Sequence, residues 1–382
     1  MNRSESTCAS SILGVALGHG TENRYEEIVA VLQRCFHHLD CRDWVDVHPR
    51  ADVEDGWQIR LKPSLFGRWT PGWDTVGLAE RLAVDFSEVD DRLELEIVIA
   101  MLASPIPFEF PSLEEWESTV RVRANIVRAA SKTFLSFDAY GAERPEGYWE
   151  YDETRGFVVR PGKSILEAFR LATQPGEDGQ VYSFSCYRAT EYVIALGLAE
   201  EIQRCNDELF HKFQLQCERR AIRSGEFHEV FMKEYGSHQE PLPPTYYVPG
   251  DRVWFKNPDP DSADALGFEG SWVFYLGNGR FTDFWKRNQA FTLELKCLEM
   301  YHWRHSTYRD GEGILRMDEK KVQACMRASE QSPSELDTIY RKMARVQDRR
   351  GVYADGGCID PSREYPRWVR PGTTDIVLPD AI

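Results

Sequence analysis

The chain has 382 residues and a formal net charge of −16, from 46 basic and 62 acidic side chains. This acidic balance disfavours broad electrostatic binding to nucleic acid or to anionic lipid. The 11 tryptophans argue against disorder, and the length suits two domains or one core domain with additions. No apolar run reaches the length of a membrane span, and the N-terminal residues do not resemble a signal peptide.

Nine cysteines are scattered along the chain without a Cys-x-x-Cys pair. An odd, dispersed set disfavours a disulfide framework and a zinc site, and it favours a reducing compartment. We therefore expect a cytoplasmic protein, and export by a route without an N-terminal signal stays open. No cofactor or metal ion is expected, because the spacing of His37, His38 and His48 matches no familiar metal site.

Residues 1–110 are predicted to form an additional N-terminal region. Residues 26–38 carry a helical pattern, residues 57–61 alternate like a strand, and residues 92–102 fit either a strand or a buried helix. A cluster of prolines at positions 105, 107 and 111 marks the end of this region.

Residues 111–330 are predicted to form the core, and residues 331–382 a C-terminal helix with an irregular extension. Capping-box sequences at Ser112 and Ser164 start two helices, and two further helices are expected from Asp318 and from Ser332. Hairpins are expected around Gly156 and around the Gly-Asn-Gly turn at 277–279. Residues 206–235 are mostly helical in composition, and the last thirty or so residues look irregular.

Cys186 stands where a strand-like run gives way to a helical pattern. Ser185 is a predicted N-cap, which places the thiol in the first turn, beside unpaired backbone N–H groups. A thiol in that position tends to be acidified, and the thiolate is the nucleophile. The alternative is an inert, buried cysteine, which is a comfortable core residue.

A helix with a cysteine at its start, followed by short antiparallel strands, predicts an α+β fold. Papain-like and NlpC/P60-like thiol enzymes have this arrangement, in which the nucleophile helix packs on a sheet. In such sites the cysteine needs a general base and a third polar group that orients it.

Residues 115–285 resemble the bacterial spore-coat protein-glutamine γ-glutamyltransferases, small transglutaminases with an NlpC/P60-like core. The resemblance rests on a series of blocks in the same order along the chain. These are RANIVRAA at 123–130, YW at 148–149, PGKS at 161–164, YSFSCYRAT at 182–190, GDRVWFKNP at 250–258 and VFYLG at 273–277.

The resemblance implies that Cys186 attacks a glutamine carboxamide, releases ammonia and passes the γ-glutamyl group to a lysine amine. The family's other catalytic positions do not carry over. The chain has Ser185 where the family has a glutamate before the cysteine, and Ser271 where it has a second glutamate. Ungapped alignment puts Phe284 at the family's histidine. A serine hydroxyl is neutral near pH 7 and does not replace a carboxylate as a proton acceptor.

Three carboxylates are candidates for the missing acid or base. Glu269 shares strand parity with Ser271, and Asp283 adjoins the residue aligned with the family's histidine. If residues 284–308 are an insertion, the histidine position becomes Asp310, and the insertion itself brings in His302 and His305.

The sequence supports three functional hypotheses. The first is a cysteine-dependent transglutaminase, deamidase or thiol hydrolase, whose partners are a protein glutamine donor and a lysine or other amine. The second is a catalytically inactive binding or scaffold protein that keeps the fold. The third is a toxin or effector with a related thiol hydrolase activity directed at one target.

Overall fold

The computed structural model describes residues 12–18, 24–35, 42–50, 52, 56–82, 89–136, 141, 143–176, 179–286, 289–348 and 356–379. The helices in these residues are α1 (Arg24–Cys35), α2 (Pro63–Trp69), α3 (Leu78–Leu82), α4 (Val89–Leu102), α5 (Leu113–Lys132), α6 (Ile165–Thr173), α7 (Cys186–Cys205), α8 (Asp207–Arg219), α9 (Ser224–Phe231), α10 (Pro260–Ala263), α11 (Leu293–Trp303), α12 (Glu319–Glu330) and α13 (Pro333–Met343).

The strands are β1 (Val15–Leu17), β2 (Val45–Pro49), β3 (Trp57–Leu61), β4 (Phe108–Phe110), β5 (Trp149–Asp152), β6 (Gly156–Val159), β7 (Met232–Tyr235), β8 (Arg252–Lys256), β9 (Gly270–Gly277), β10 (Arg280–Phe281), β11 (Thr307–Arg309), β12 (Leu315–Met317) and β13 (Arg363–Pro366). They form a four-stranded sheet in the order β2-β3-β1-β4, a five-stranded sheet in the order β10-β9-β8-β13-β7, and the hairpins β5-β6 and β11-β12. Helices and mainly antiparallel sheets together confirm the α+β class.

The four-stranded sheet lies within the N-terminal region. Strand β1 pairs antiparallel with β3 and parallel with β4, so that Val15 lies opposite both Ile59 and Phe108. Residues 92–102 belong to helix α4, which decides between the two alternatives left open by the sequence. Residues 95–102 are each at most 3% exposed, and a helix buried on all sides has no polar face to reveal its period.

The N-terminal sheet and the residues after position 110 share one hydrophobic core. The Phe108 ring of β4 lies 4.8 Å from the ring of Tyr235 and 5.3 Å from that of Tyr365, measured between centroids. Trp116 of α5 belongs to the same buried cluster. Residues on both sides of position 110 therefore bury their apolar surface together. His37 and His38 lie outside the described residues, and His48 is an exposed residue of β2.

The five-stranded sheet contains two strands that the sequence did not predict. Strand β13 lies between β7 and β8, with Glu364 opposite both Glu234 and Arg252. The prediction of an irregular C-terminal segment is therefore wrong for residues 363–366, and the helical prediction is wrong for β7. Each of these strands has four residues and gains its hydrogen bonds from partners far away in sequence.

Helix α7 packs against helix α5 and against β9 of the five-stranded sheet. Its buried side chains share a hydrophobic cluster with Ile126 of α5 and Phe274 of β9. Gly197 permits a close approach of the two helices, because a Cβ atom at this position would lie 2.7 Å from Cγ1 of Ile126. The tight contact fixes the middle of α7 against α5.

Helices α11, α12 and α13 cover the other side of the sheet. Cys297 of α11, Val322 of α12 and Met343 of α13 lie in one buried cluster with Phe255 of β8. The predicted helix starts after Asp318 and Ser332 are confirmed. Of the helices in the described part of the chain, none is both long enough and apolar enough to cross a bilayer.

Candidate active site

Cys186 is the first residue of helix α7. The Ser185 hydroxyl accepts a hydrogen bond from the Arg188 N–H at 3.2 Å, which confirms the predicted N-cap. The rings of Tyr187 and Trp272 meet edge to face with centroids 5.4 Å apart. This contact joins the start of α7 to β9 and leaves Cys186 half-buried.

The acidified thiol predicted at this helix start is not found. Burial raises the pKa of the Cys186 thiol above its ordinary value. The backbone N–H groups of Trp272 and Tyr187 and the ammonium of Lys296 lower this pKa, but they do not overcome burial. Desolvation disfavours the charged thiolate. The resting cysteine is therefore a thiol at neutral pH, and its use as a nucleophile requires a proton acceptor and a group that stabilises the thiolate.

A cavity of about 450 Å³ opens beside Cys186. Its wall is formed by the start of α7, by β9, by the residues after β10 and by helices α11 and α12. In the described part of the chain, the charged residues along it are Asp283, Lys286, Lys296, Glu299 and Glu319. Cavities of this size hold small ligands or an inserted side chain.

Asp283 borders the same cavity as Cys186. Its side chain is 14% exposed and lies 3.3 Å from the ammonium nitrogen of Lys286. The second carboxylate oxygen accepts the Trp285 N–H at 3.0 Å, which fixes the orientation of the carboxylate. Of the three carboxylates proposed from sequence, Asp283 is the one that the structure brings to the cysteine's cavity.

The structure places neither Glu269 nor Asp310 in the described lining of the cavity. Glu269 is exposed, precedes the first residue of β9 and is not among the described residues lining the cavity. Asp310 lies in the turn of the β11-β12 hairpin, where it accepts the N–H groups of Glu312 and Ile314. The Arg316 guanidinium, 2.9 Å away, lowers the pKa of Asp310. These contacts give Asp310 a role in shaping the hairpin.

Ser185, Ser271 and Phe284, which depart from the pattern of the resemblance, have structural roles in this fold. Ser185 caps α7, and Ser271 pairs with Phe255 across the sheet and borders the cavity. The Phe284 side chain is 2% exposed and packs in the core beneath α7. Its carbonyl accepts the Leu135 N–H at 2.8 Å.

The two histidines expected from the insertion do not reach the cysteine. His302 is buried against Ser329, with a hydrogen bond of 3.0 Å, and burial lowers its pKa. His305 is exposed and accepts a hydrogen bond from Arg304. Neither is among the cavity-lining residues in the described part of the chain.

The sequence did not single out Lys296 and Glu299, which helix α11 presents to the cavity. The Lys296 ammonium lies 2.8 Å from a carboxylate oxygen of Glu299. Burial alone would raise the pKa of Glu299, but Lys296 and Lys286 lower it below its ordinary value. Burial also opposes the charge of Lys286, yet Asp283, Glu299 and Glu319 together raise its pKa. The cavity wall is therefore ionic at neutral pH.

The spacing of Lys296 and Glu299 in the sequence could have indicated that they act together. Lys296, Glu299 and Trp303 follow one another at i, i+3 and i+7, which places them on one face of a helix. All three border the cavity. Within the described residues, no group of three histidine, cysteine, aspartate or glutamate side chains is arranged to hold a metal ion.

The fold and the site together define an α+β protein with a cysteine at a helix start, beside an ionic cavity. The model of the protein-glutamine gamma-glutamyltransferase family matches residues 80–326. The chain belongs to this family, and the matched range contains Cys186, Asp283, Lys296 and Glu299.

Two curated proteins with this name are similar to the chain. The protein-glutamine gamma-glutamyltransferase of Halalkalibacterium halodurans is 28% identical over 207 residues, which are 50% of this chain and 63% of that protein. The protein of the same name from Bacillus subtilis is 25% identical over 187 residues, 47% of this chain and 69% of that protein. The chain thus spans somewhat less than two thirds of the length of the first relative.

Proposed function

We propose that this protein transfers acyl groups from protein glutamine side chains through a thioester on Cys186. The observation that carries the proposal is the position of Cys186 at the start of α7, beside a cavity that Asp283 also borders, in a member of this family. The substrates are a protein glutamine as acyl donor and a lysine or another primary amine as acceptor.

The chemistry divides into two balanced steps. In the first, the sulfur of Cys186 bonds to the carboxamide carbon, the C–N bond breaks, and the nitrogen leaves as ammonia with the proton from the thiol. In the second, an amine attacks the thioester carbon, and its proton returns to the sulfur as the amide forms. With water in place of the amine, the second step is deamidation. Two steps through a thioester are easier than direct amide exchange.

Asp283 is the proposed proton carrier between Cys186 and the leaving nitrogen. It borders the same cavity, it is largely buried, and the Trp285 N–H fixes its orientation. A carboxylate is a weaker base than a thiolate, so proton transfer is uphill and benefits from any group that stabilises the thiolate.

The core around Cys186 is proposed to be papain-like. Helix α7, which begins at the cysteine, packs on the antiparallel strand β9 through Phe274. We further propose residues 111–330 as the catalytic core and a reducing, cytoplasmic location. The six cysteines whose side chains the structure describes are free thiols, which supports that location.

Amine incorporation and ammonia release test the proposal. A fluorescent primary amine and a glutamine-rich protein would be incubated with wild type, Cys186→Ser and Cys205→Ser. Cys205 is the last residue of the same helix, so its substitution removes a half-buried thiol at the opposite end. We expect Cys186→Ser to abolish both signals and Cys205→Ser to keep them. Ammonia release without amine incorporation would identify a deamidase.

A catalytically inactive binding protein is the second candidate. The raised pKa of Cys186 favours it. So do Ser271 and Phe284, which the ungapped resemblance aligns with the family's second glutamate and its histidine. If wild type and Cys186→Ser both release no ammonia from a panel of glutamine proteins, the inactive binding protein replaces the enzyme as the better account.

A further inference from the structure

Helix α11 places a buried cation in the wall of the Cys186 cavity. The Lys296 side chain is only 7% exposed, and its ammonium lies 2.8 Å from Glu299. The same ammonium lies 4.8 Å from the ring centroid of Phe291 and 5.5 Å from that of Trp303. The carboxylate and the two rings together restrict where the charge can sit.

A buried lysine is unfavourable unless something compensates its lost hydration. Taking an ammonium and a carboxylate out of water costs more than a typical surface ion pair returns. An apolar residue at position 296 would pack against Phe291 and Trp303 without this cost. A buried lysine in the wall of this cavity is therefore a reason to ask what its charge does there.

Four of the five charged residues that the structure describes along the cavity form two ion pairs. Asp283 lies against Lys286 on the segment after β10, and Glu299 lies against Lys296 on α11. Glu319 borders the cavity from the exposed first turn of α12. Lys286 is half-exposed, with 49% of its side chain accessible, whereas Lys296 is almost fully buried. Because solvent screens a buried charge least, the charge of Lys296 is screened less than that of Lys286.

We propose that Lys296, held in place by Glu299, is a positioning residue that stabilises the thiolate of Cys186. The proposal rests on the function proposed above. Glu299 fixes the ammonium, and the ammonium favours the charged form of the sulfur. The effect of the Lys296 charge on the pKa of Cys186 has the direction that this role requires. The proton itself passes to Asp283, and Lys296 keeps its own.

The pH profile of Cys186 alkylation tests this role without a substrate. Iodoacetamide would be reacted with wild type, Lys296→Met, Lys296→Arg and Glu299→Gln, with labelling of Cys186 followed by mass spectrometry. Methionine keeps the length of the side chain without its charge. We expect Lys296→Met to raise the alkylation midpoint by about one pH unit, a roughly tenfold slower reaction at a fixed pH below it. Lys296→Arg should restore most of the difference.

The Glu299→Gln variant distinguishes an effect of the Lys296 charge from an effect of losing the ion pair. Both Lys296→Met and Glu299→Gln break the same pair, so a purely structural role would shift both midpoints in the same direction. The proposed role predicts that the alkylation midpoint rises in Lys296→Met. In Glu299→Gln it should fall or stay the same, because the Lys296 ammonium loses its counter-ion and its charge acts on the thiolate unopposed. Thermal unfolding would verify that each variant is folded.

The proposal is overturned if folded Lys296→Met has the wild-type midpoint, or if Glu299→Gln shows the same rise as Lys296→Met. Amine incorporation by the wild type distinguishes this failure from failure of the proposed function. If the wild type incorporates amine and Lys296→Met has the wild-type midpoint, only the proposed role of Lys296 is refuted. If the wild type is inactive but the midpoint of Lys296→Met is raised, acyl transfer is refuted and the effect of Lys296 on Cys186 is supported.

Discussion

Replacing Asp283 with asparagine removes the proposed proton carrier and little else. Asparagine keeps an oxygen that can accept the Trp285 N–H, which lies 3.0 Å from the Asp283 carboxylate, so the segment after β10 should hold its shape. The substitution removes the negative charge that faces Lys286 and the capacity to accept a proton. A positioned acid–base group contributes about 10²- to 10⁴-fold to rate, equivalent to about 3–5 kcal/mol of transition-state stabilisation.

The assay is the initial rate of fluorescent-amine incorporation, with kcat/KM measured for Asp283→Asn and for two matched controls. Glu269→Gln and Asp310→Asn also neutralise a carboxylate named from sequence, but outside the described lining of the cavity. We expect both controls to stay within about threefold of wild type, since an exposed pair such as that of Asp310 with Arg316 contributes little. If Asp283→Asn also stays within threefold, or if either control loses as much activity, Asp283 is not the proton carrier.

Three further predictions concern the scaffold. Burial raises the pKa of Glu96 from 4.5 to about 7. The folded state therefore holds a proton that the unfolded state releases, and the free energy of unfolding should fall by about 3 kcal/mol as pH rises from 4.5 through 7. Glu96→Gln should flatten that part of the profile in urea titrations, and an unchanged slope would contradict the assignment. Asp251 is fully buried 2.8 Å from the equally buried Arg123, so Asp251→Asn should cost about 3–5 kcal/mol in denaturant unfolding, and a loss below 1 kcal/mol would contradict this. Gly197→Ala should lower thermal stability by an overpacking cost of about 1–3 kcal/mol, whereas Gly225→Ala, with open space around it, should not.

The sequence predicted those elements whose signals are local. The serine caps at Ser112, Ser164 and Ser185 are confirmed, because an N-cap is decided within four residues. The Gly-Asn-Gly turn at 277–279 is confirmed as well, with positive φ at all three positions. Such a turn needs left-handed backbone, which asparagine and glycine tolerate.

The missed strands and the pKa of Cys186 depend on residues far away in sequence. Strand β13 forms because its backbone pairs with β7 on one side and β8 on the other. Both partners are far away in sequence, so the residues near β13 do not predict it. In the same way, the helix start predicted an acidic thiol at Cys186, but the burial that reverses this prediction comes from β9 and from the hydrophobic cluster against which Cys186 packs. Burial is a property of the assembled fold, and the local pattern carries little information about it.

The candidate site was predicted in part. Cys186 and Asp283 were both named from sequence, and the structure places them beside one cavity. Lys296 and Glu299 were missed, because the resemblance directed the search to a histidine position and neither residue is a histidine. The sequence shows by spacing that these two residues share one face of a helix. Only the position of α11 in the fold shows that this face borders the cavity.

Trapping the acyl-enzyme tests the central claim most directly. Wild type mixed with a glutamine peptide, quenched in acid within seconds and examined by intact-protein and peptide mass spectrometry, should carry the peptide minus ammonia on Cys186. Hydroxylamine should release the adduct, as expected of a thioester, and Cys186→Ser should carry no hydroxylamine-sensitive adduct. Ammonia release and amine incorporation by the wild type without any adduct on Cys186, or with full activity in Cys186→Ser, would contradict the thioester mechanism.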